Sequence, residues 1–178
     1  MGTRSTIAMK KPEGGVVAIY CHWDGYPAHN GDILNKHWTD TDKIAQLIGL
    51  GDLSSLGTEL GEKQDFDNRE TQSDGWCLAY GRDRGEKGCG YRVYKDEAEY
   101  IREGFNSGEQ YVYLMKLDGD VDYMNRPKGT WYFVESRYTE QGKEVIDDAF
   151  RPLVEVAIQD HIDIWKRTLE DYKKRKAA

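Results

Sequence analysis

Apolar and polar residues alternate along VVAIYCHW, residues 16–23, so Val17, Ile19, Cys21 and Trp23 share one face and Ala18, Tyr20 and His22 the other. This period predicts a strand, with Asp24-Gly25 as its stop and Trp23 as a core anchor. Upstream, Thr3 to Met9 mixes β-branched and polar residues and runs into KKPEGG, which predicts a first strand and a turn. WCLAYG, YRVY, QYVYLMKL, DVDYM and GTWYFVES have the same character and predict a meander, with RDRGEKGCG as a hairpin loop between the first two. Elsewhere the spacing changes to three and four. Ile44, Leu47 and Ile48 form the stripe of a helix opened by a capping box of Thr39 and Asp42 and stopped by Gly49 and Gly51, with Leu53 and Leu56 returning to the core. AHNGDILNKHW predicts a short helix interrupted by Gly31, and DEAEYIREGF another started by Asp96. A helical stretch is expected from Thr139 or Glu140 to Phe150. Pro152 then opens a long last helix with an apolar stripe of Val154, Ile158, His161 or Ile162, Trp165, Leu169 and Tyr172.

These elements predict an α+β fold: a largely antiparallel sheet of five or six strands, helices on one face and a long C-terminal helix. The 178 residues suit a single domain, 1–178, with 139–178 as a helical segment packed on it. Residues 57–75, GTELGEKQDFDNRETQSDG, hold only Leu60 and Phe66 as large apolar groups. An acidic connection of that length is either a binding loop or lid, or disordered, and the pattern leaves both open.

Charge narrows the partners. The chain carries −7, but residues 166–178 hold six Lys or Arg against Glu170 and Asp171, a net +4 that leaves −11 on the rest. So acidic a body is a poor general nucleic-acid binder, and no direct nucleic acid is expected; a basic partner surface suits it better. No segment reaches the length of an apolar membrane span, and MGTRSTIAMKK lacks the apolar core of a signal peptide, so a cytoplasmic protein is expected. Cys21, Cys77 and Cys89 are odd in number and lack CxxC spacing, which predicts reduced thiols. Cys21 and His22 are adjacent on a strand and diverge, so they cannot share a metal or act as a nucleophile–base pair. No metal site and no cofactor motif is read from the sequence.

Candidate chemistry lies in two stretches. GRDRGEKGCG, residues 81–90, combines four glycines with Arg82, Arg84 and Lys87. Converging amides and forked guanidinium donors suit a phosphate, while Asp83 and Glu86 can pair with the same arginines in a purely structural loop. In YCHWDGYP, residues 20–27, His22 and Tyr26 sit beside a turn where they can contact a ligand. With Trp23, His37 and Trp38 they could form an aromatic box for a planar ring. Arg4, on the first strand, can hold a carboxylate or phosphate or reach past the sheet edge to water. The candidate ligand-binding residues are therefore Arg4, His22, Tyr26, Arg82 and Arg84; none is assigned a catalytic role.

In order, MGTRSTIA, IYCHWDGYPAHNG, LGDLSSLG and YGRDRGE resemble a family of small proteins encoded by bacteriophages and prophages, over residues 1–90. The resemblance carries over no site residues and implies a setting, a phage accessory protein acting in the bacterial host cell against host defence or host machinery. The leading expectation is a non-enzymatic protein that binds a small phosphorylated, nucleotide-like ligand such as a defence signal. The alternatives are an acidic inhibitor that blocks a host protein and a small nucleotide-directed hydrolase. Self-association through the C-terminal stripe is a further expectation.

Overall fold

The computed structural model of the chain describes residues 2–121, 127–138, 144–146, 150–153 and 166. Strand β1 (Ser5–Lys10) turns back into β2 (Val16–Cys21), paired antiparallel from Ser5 opposite Cys21 to Lys10 opposite Val16. Gly14 and Gly15 close that turn at φ of 102° and 81°, values that side chains disfavour. The chain then leaves the sheet through a π-type turn at Pro27–Gly31 and helices α1 (Asp32–His37) and α2 (Thr41–Leu50). It re-enters as β3 (Leu53–Ser55), parallel to β2. Asp40 caps α2, accepting from the amides of Asp42 and Lys43, both at 3.0 Å. The expected capping box at Thr39 is thus displaced by one residue: a carboxylate at the cap position takes both amides. Ile44, Leu47 and Ile48 are buried as their spacing predicts.

After the 57–75 connection come β4 (Leu78–Ala79), the short helix α3 (Tyr80–Arg84), β5 (Arg92–Tyr94) and α4 (Glu97–Asn106), which Asp96 caps through the amide of Glu99. Strands β6 (Tyr111–Val121), β7 (Pro127–Tyr138), β8 (Glu144–Ile146) and β9 (Arg151–Pro152) follow. Seven strands run in the order β4-β3-β2-β1-β6-β7-β8, with β5 also on β2 and β9 on β7.

The fold is α+β, but the sheet is mixed, which corrects the expected largely antiparallel sheet of five or six strands. β1 with β6 and β2 with β3 are parallel, and the other pairs are antiparallel. A parallel pair needs a crossover, and α1 with α2 carries the chain from β2 to β3 while α4 leads into β6. The helices cover both faces rather than one. Leu34 of α1 and Ile44, Leu47 and Ile48 of α2 pack over Ile7, Ile19, Cys21, Tyr113 and Phe133. Tyr100, Ile101 and Phe105 of α4 pack over Ala8, Val16, Ala18, Val112, Leu114 and Val134. Adjacent residues such as Ile7 and Ala8, or Tyr113 and Leu114, are therefore both buried, the mark of strands covered on two sides.

Two further expectations change. RDRGEKGCG is no hairpin loop, because its first residues belong to α3 while β4 pairs with β3 and β5 with β2. Glu144–Ile146 is a strand on β7 rather than part of a helix, and Arg151-Pro152 also pairs with β7, with Leu153 buried behind it. The long C-terminal helix with its stripe, and residues 122–124 of DVDYM, lie outside the described residues. Among the described residues no helix is long and apolar enough to cross a membrane.

Candidate ligand-binding cleft

Where β2 ends, its backbone keeps pairing with β3: the amides of His22 and Trp23 donate to the carbonyls of Leu53 and Ser54, both at 3.0 Å. The chain then reverses at Asp24, whose φ of 54° makes it the single non-glycine residue at positive φ among the described residues. Asp tolerates that region better than most side chains. The reversal is fastened on all sides. Buried Asn30 donates from its side chain to the Trp23 carbonyl (3.2 Å) and from its backbone to the Asp24 carbonyl (3.2 Å). The Tyr113 hydroxyl donates to the Gly25 carbonyl (2.7 Å), and the Gly25 amide to Thr3 (2.7 Å). A Cβ on Gly25 would lie 2.7 Å from that of Ser5, and one on Gly2 would lie 2.9 Å from the Trp23 ring. The N-terminal segment thus packs directly against this turn. With its backbone held, the turn presents the side chains of Trp23 and Asp24 outward, Trp23 40 % exposed.

This corrects the reading of Trp23 as a core anchor. Strand alternation stops applying once β2 ends at Cys21, and the core indoles are instead those of Trp38 and Trp131. Trp38 donates to the Gly57 carbonyl and Trp131 to the Trp38 carbonyl. With Trp38 buried and His37 exposed, the proposed aromatic box does not form.

The opposite wall is the 57–75 connection, which is a built structure. Its base is closed by Glu59 N–H to Gly75 and Cys77 N–H to Glu59. Arg82 reaches under it from α3, donating to the carbonyls of Leu60 (2.8 Å), Gly61 (3.0 Å) and Cys77, and gripping both oxygens of Asp83 at 2.8 and 2.9 Å. Asp83 in turn accepts from the amides of Gln64 (2.9 Å) and Ala79 (2.7 Å). Burial alone would raise the Asp83 carboxyl, but these three sets of donors outweigh it and hold it below its ordinary range. Gln64 accepts from Ser73 N–H and donates to Cys77, and Gln72 Nε2 donates to the carbonyls of Asp65 and Phe66, both at 3.0 Å.

Between these walls lies a cleft of about 450 Å³ lined by Trp23, Asp24, Ser54, Ser55, Phe66, Arg69, Gln72 and Leu78. It opens beside the carboxyl ends of the parallel strands β2 and β3, the usual position of ligand crevices in parallel sheets. Phe66 is braced from outside the cleft lining by the Tyr80 ring at 5.3 Å and the Arg84 guanidinium at 5.0 Å. Arg69, Asp24 and the Gln72 Oε1 have no side-chain partner among the described residues.

None of the five residues singled out in the sequence lines this cleft. Arg82 has all five N–H donors engaged by protein, so it holds the wall and has none left for a phosphate. Arg84 pairs with Glu86 at 2.9 Å and braces Phe66. His22 is half-buried behind the indole, its ring 4.6 Å from that of Trp23 and its Nδ1 2.8 Å from the Tyr20 hydroxyl. Tyr26 is exposed against His29. Arg4 is exposed near Gly108 and within electrostatic range of Glu109. The buried Glu109 leaves Oε2 unpartnered among the described residues; burial pushes its carboxyl up, against its own backbone and the charges of Arg92 and Arg4.

Sequence reasoning missed Arg69, Gln72, Ser54 and Ser55. The available signal was the length of the 57–75 connection, which marks a functional loop without saying which residues serve. Cys21 and Cys77 are poor nucleophiles, since burial pushes their thiols up to about 12 and about 11. Among the described residues no three His, Cys, Asp or Glu side chains group as metal ligands do. Comparison with protein-family models, with curated proteins and with solved structures gives no match.

Proposed function

We propose that the chain is a non-enzymatic binding protein that holds a small phosphorylated, nucleotide-like ligand between the end of β2 and the 57–75 wall. One observation carries the reading: an exposed indole, Trp23, and a guanidinium unpaired among the described residues, Arg69, line the same cleft. An indole face stacks a planar base, and a free guanidinium offers forked donors to phosphate oxygens. A volume of about 450 Å³ falls within the roughly 300–1,000 Å³ of small-molecule pockets. The phosphate role that the sequence suggests for Arg82 and Arg84 falls to Arg69, and His22 supports the indole. In the phage setting that the sequence resemblance implies, such a protein sequesters a nucleotide signal in the cytoplasm of the infected cell.

Calorimetry with linear and cyclic nucleotides tests this. The expected result is saturable binding that weakens at least tenfold in Arg69→Ala and in Trp23→Ala, with the nucleotide recovered unchanged after prolonged incubation. No heat of binding across the panel overturns the proposal, and turnover of the bound nucleotide favours the hydrolase reading instead.

A second reading, an acidic inhibitor of a host protein, has one observation in its favour. Tyr91 and Val93 on and beside β5 are 54 and 61 % exposed and sit on a strongly acidic body. Affinity capture at low and moderate salt is expected to retain one dominant basic partner if this reading holds. The apolar stripe that the sequence predicts over 154–172 is the proposed route to self-association, which sedimentation checks.

A further inference from the structure

The polar groups left free in the cleft are unbalanced in a way that selects among bases. Gln72 donates from Nε2 to two backbone carbonyls, Asp65 and Phe66 at 3.0 Å each. Carbonyls cannot donate, so the amide nitrogen must face them and the orientation of the carboxamide is fixed. Its Oε1 is thereby set as an acceptor without a protein partner among the described residues. Asp24 adds two more acceptor oxygens, on a side chain projected by a backbone that Asn30 and Tyr113 hold. On the donor side stand the Arg69 guanidinium and the Trp23 indole N–H; the Ser55 hydroxyl can act either way, and the Ser54 hydroxyl is engaged with that of Tyr80. If Arg69 takes the phosphate, the rest of the cleft is acceptor-rich. A ring that fills it must present N–H donors.

Charge adds a second restriction. Among the described residues, Arg69 is the one cation and Asp24 the one carboxylate lining the cleft. A triphosphate would set several negative charges against one guanidinium beside Asp24, in a chain of net charge −7. A single phosphate group matches the site.

From this balance we infer that the cleft selects a guanine-type base, presenting N1–H and the 2-amino group to Asp24 and Gln72, on a nucleotide with a single phosphate. Guanine is the donor-rich purine: its edge offers two neighbouring N–H groups to a carboxylate, whereas adenine offers one amino group beside an acceptor nitrogen. That ring nitrogen would face the Asp24 oxygens, acceptor against acceptor, and sites built to bond an N–H reject analogues that lack it. A bicyclic base also matches the bicyclic indole of Trp23. The inference rests on the nucleotide reading above and goes beyond it in naming the base and the phosphate count.

Titration of the 178-residue protein with GMP, IMP, AMP and GTP tests it. IMP differs from GMP only in lacking the 2-amino group. The expected order is GMP tightest, IMP and AMP each at least tenfold weaker, and GTP weaker than GMP. Asp24→Asn keeps a residue that tolerates positive φ and replaces the carboxylate. It is expected to bring GMP and IMP within about threefold of each other while thermal unfolding stays close to wild type. If GMP, IMP and AMP bind within threefold, or AMP binds tightest, the inference is overturned and the nucleotide reading stands. Tighter binding of GTP than of GMP overturns the single-phosphate part. If no nucleotide binds, the nucleotide reading itself fails. The ligand series needs no variant, so a folding defect in Asp24→Asn leaves the result decisive.

Discussion

Arg82 shows how the environment of a side chain decides its role. Its five donors all meet protein oxygens, three of them on the 57–75 wall and its closing residue Cys77. Arg82→Ala strands the buried Asp83 carboxylate and three carbonyls and is expected to cost about 3 kcal/mol, read from urea denaturation. Arg82→Lys, with no planar fork, should recover little of it. Two carboxyls give opposite pH signatures. Asp83 is held below its ordinary range, so the stability it confers is present above the unfolded carboxyl range and is lost as pH falls through its folded value. Glu109 is raised, so it favours the folded state in acid and that contribution is lost as pH rises through its folded value. Glu109→Gln is therefore expected to raise the urea midpoint relative to wild type more at pH 7 than at pH 4. Asp83→Asn should flatten the acid limb. The thiols offer a separate check: iodoacetamide at pH 8 should modify Cys89 first, since Cys21 and Cys77 are buried, and all three should react in urea.

Among the elements, the turn after β2 and the 57–75 wall set the cleft, and each depends on contacts distant in sequence. Gly25→Ala would press a methyl against Ser5 and the Thr3 carbonyl. It is expected to cost about 1–3 kcal/mol and to weaken ligand binding by displacing Asp24. Helix α2 depends instead on a local device, so Asp40→Ala should cost about 1 kcal/mol and leave ligand binding unchanged. The same contrast explains what the sequence reveals. Periodicity locates α2 and α4 because their burial follows their own repeat; β1 and β2 are located by their β-rich composition and bounding turns, since residues on both of their faces are buried. It misplaces Trp23 because the indole follows the end of a strand, where the backbone is steered by Asn30, Tyr113 and Thr3. It leaves the 57–75 connection open because that loop is ordered by its backbone hydrogen bonds with the side chains of Arg82, which donates, and Asp83, which accepts, and not by an apolar stripe. Arg69 and Gln72 gain meaning only once that loop stands opposite Trp23.

For the whole molecule, two crossovers make a mixed sheet covered on both faces from a chain whose pattern predicts a largely antiparallel sheet covered on one. The parallel β2–β3 pair places the ends of two strands side by side, and the cleft opens beside them. Fold and site are thus linked: the crossover through α1 and α2 buries one face of the sheet and also brings Trp23 and Asp24 beside Ser54 and Ser55. The central claim, that this cleft takes a nucleotide against Trp23, is tested most directly by following the indole N–H resonances in ¹⁵N-labelled protein during titration with GMP, IMP, AMP and GTP in turn, with Trp23→Phe as the assignment. The account predicts that the Trp23 resonance shifts and saturates while those of the buried Trp38 and Trp131 stay in place. A saturable response elsewhere with Trp23 unmoved, or no response at all, would contradict it.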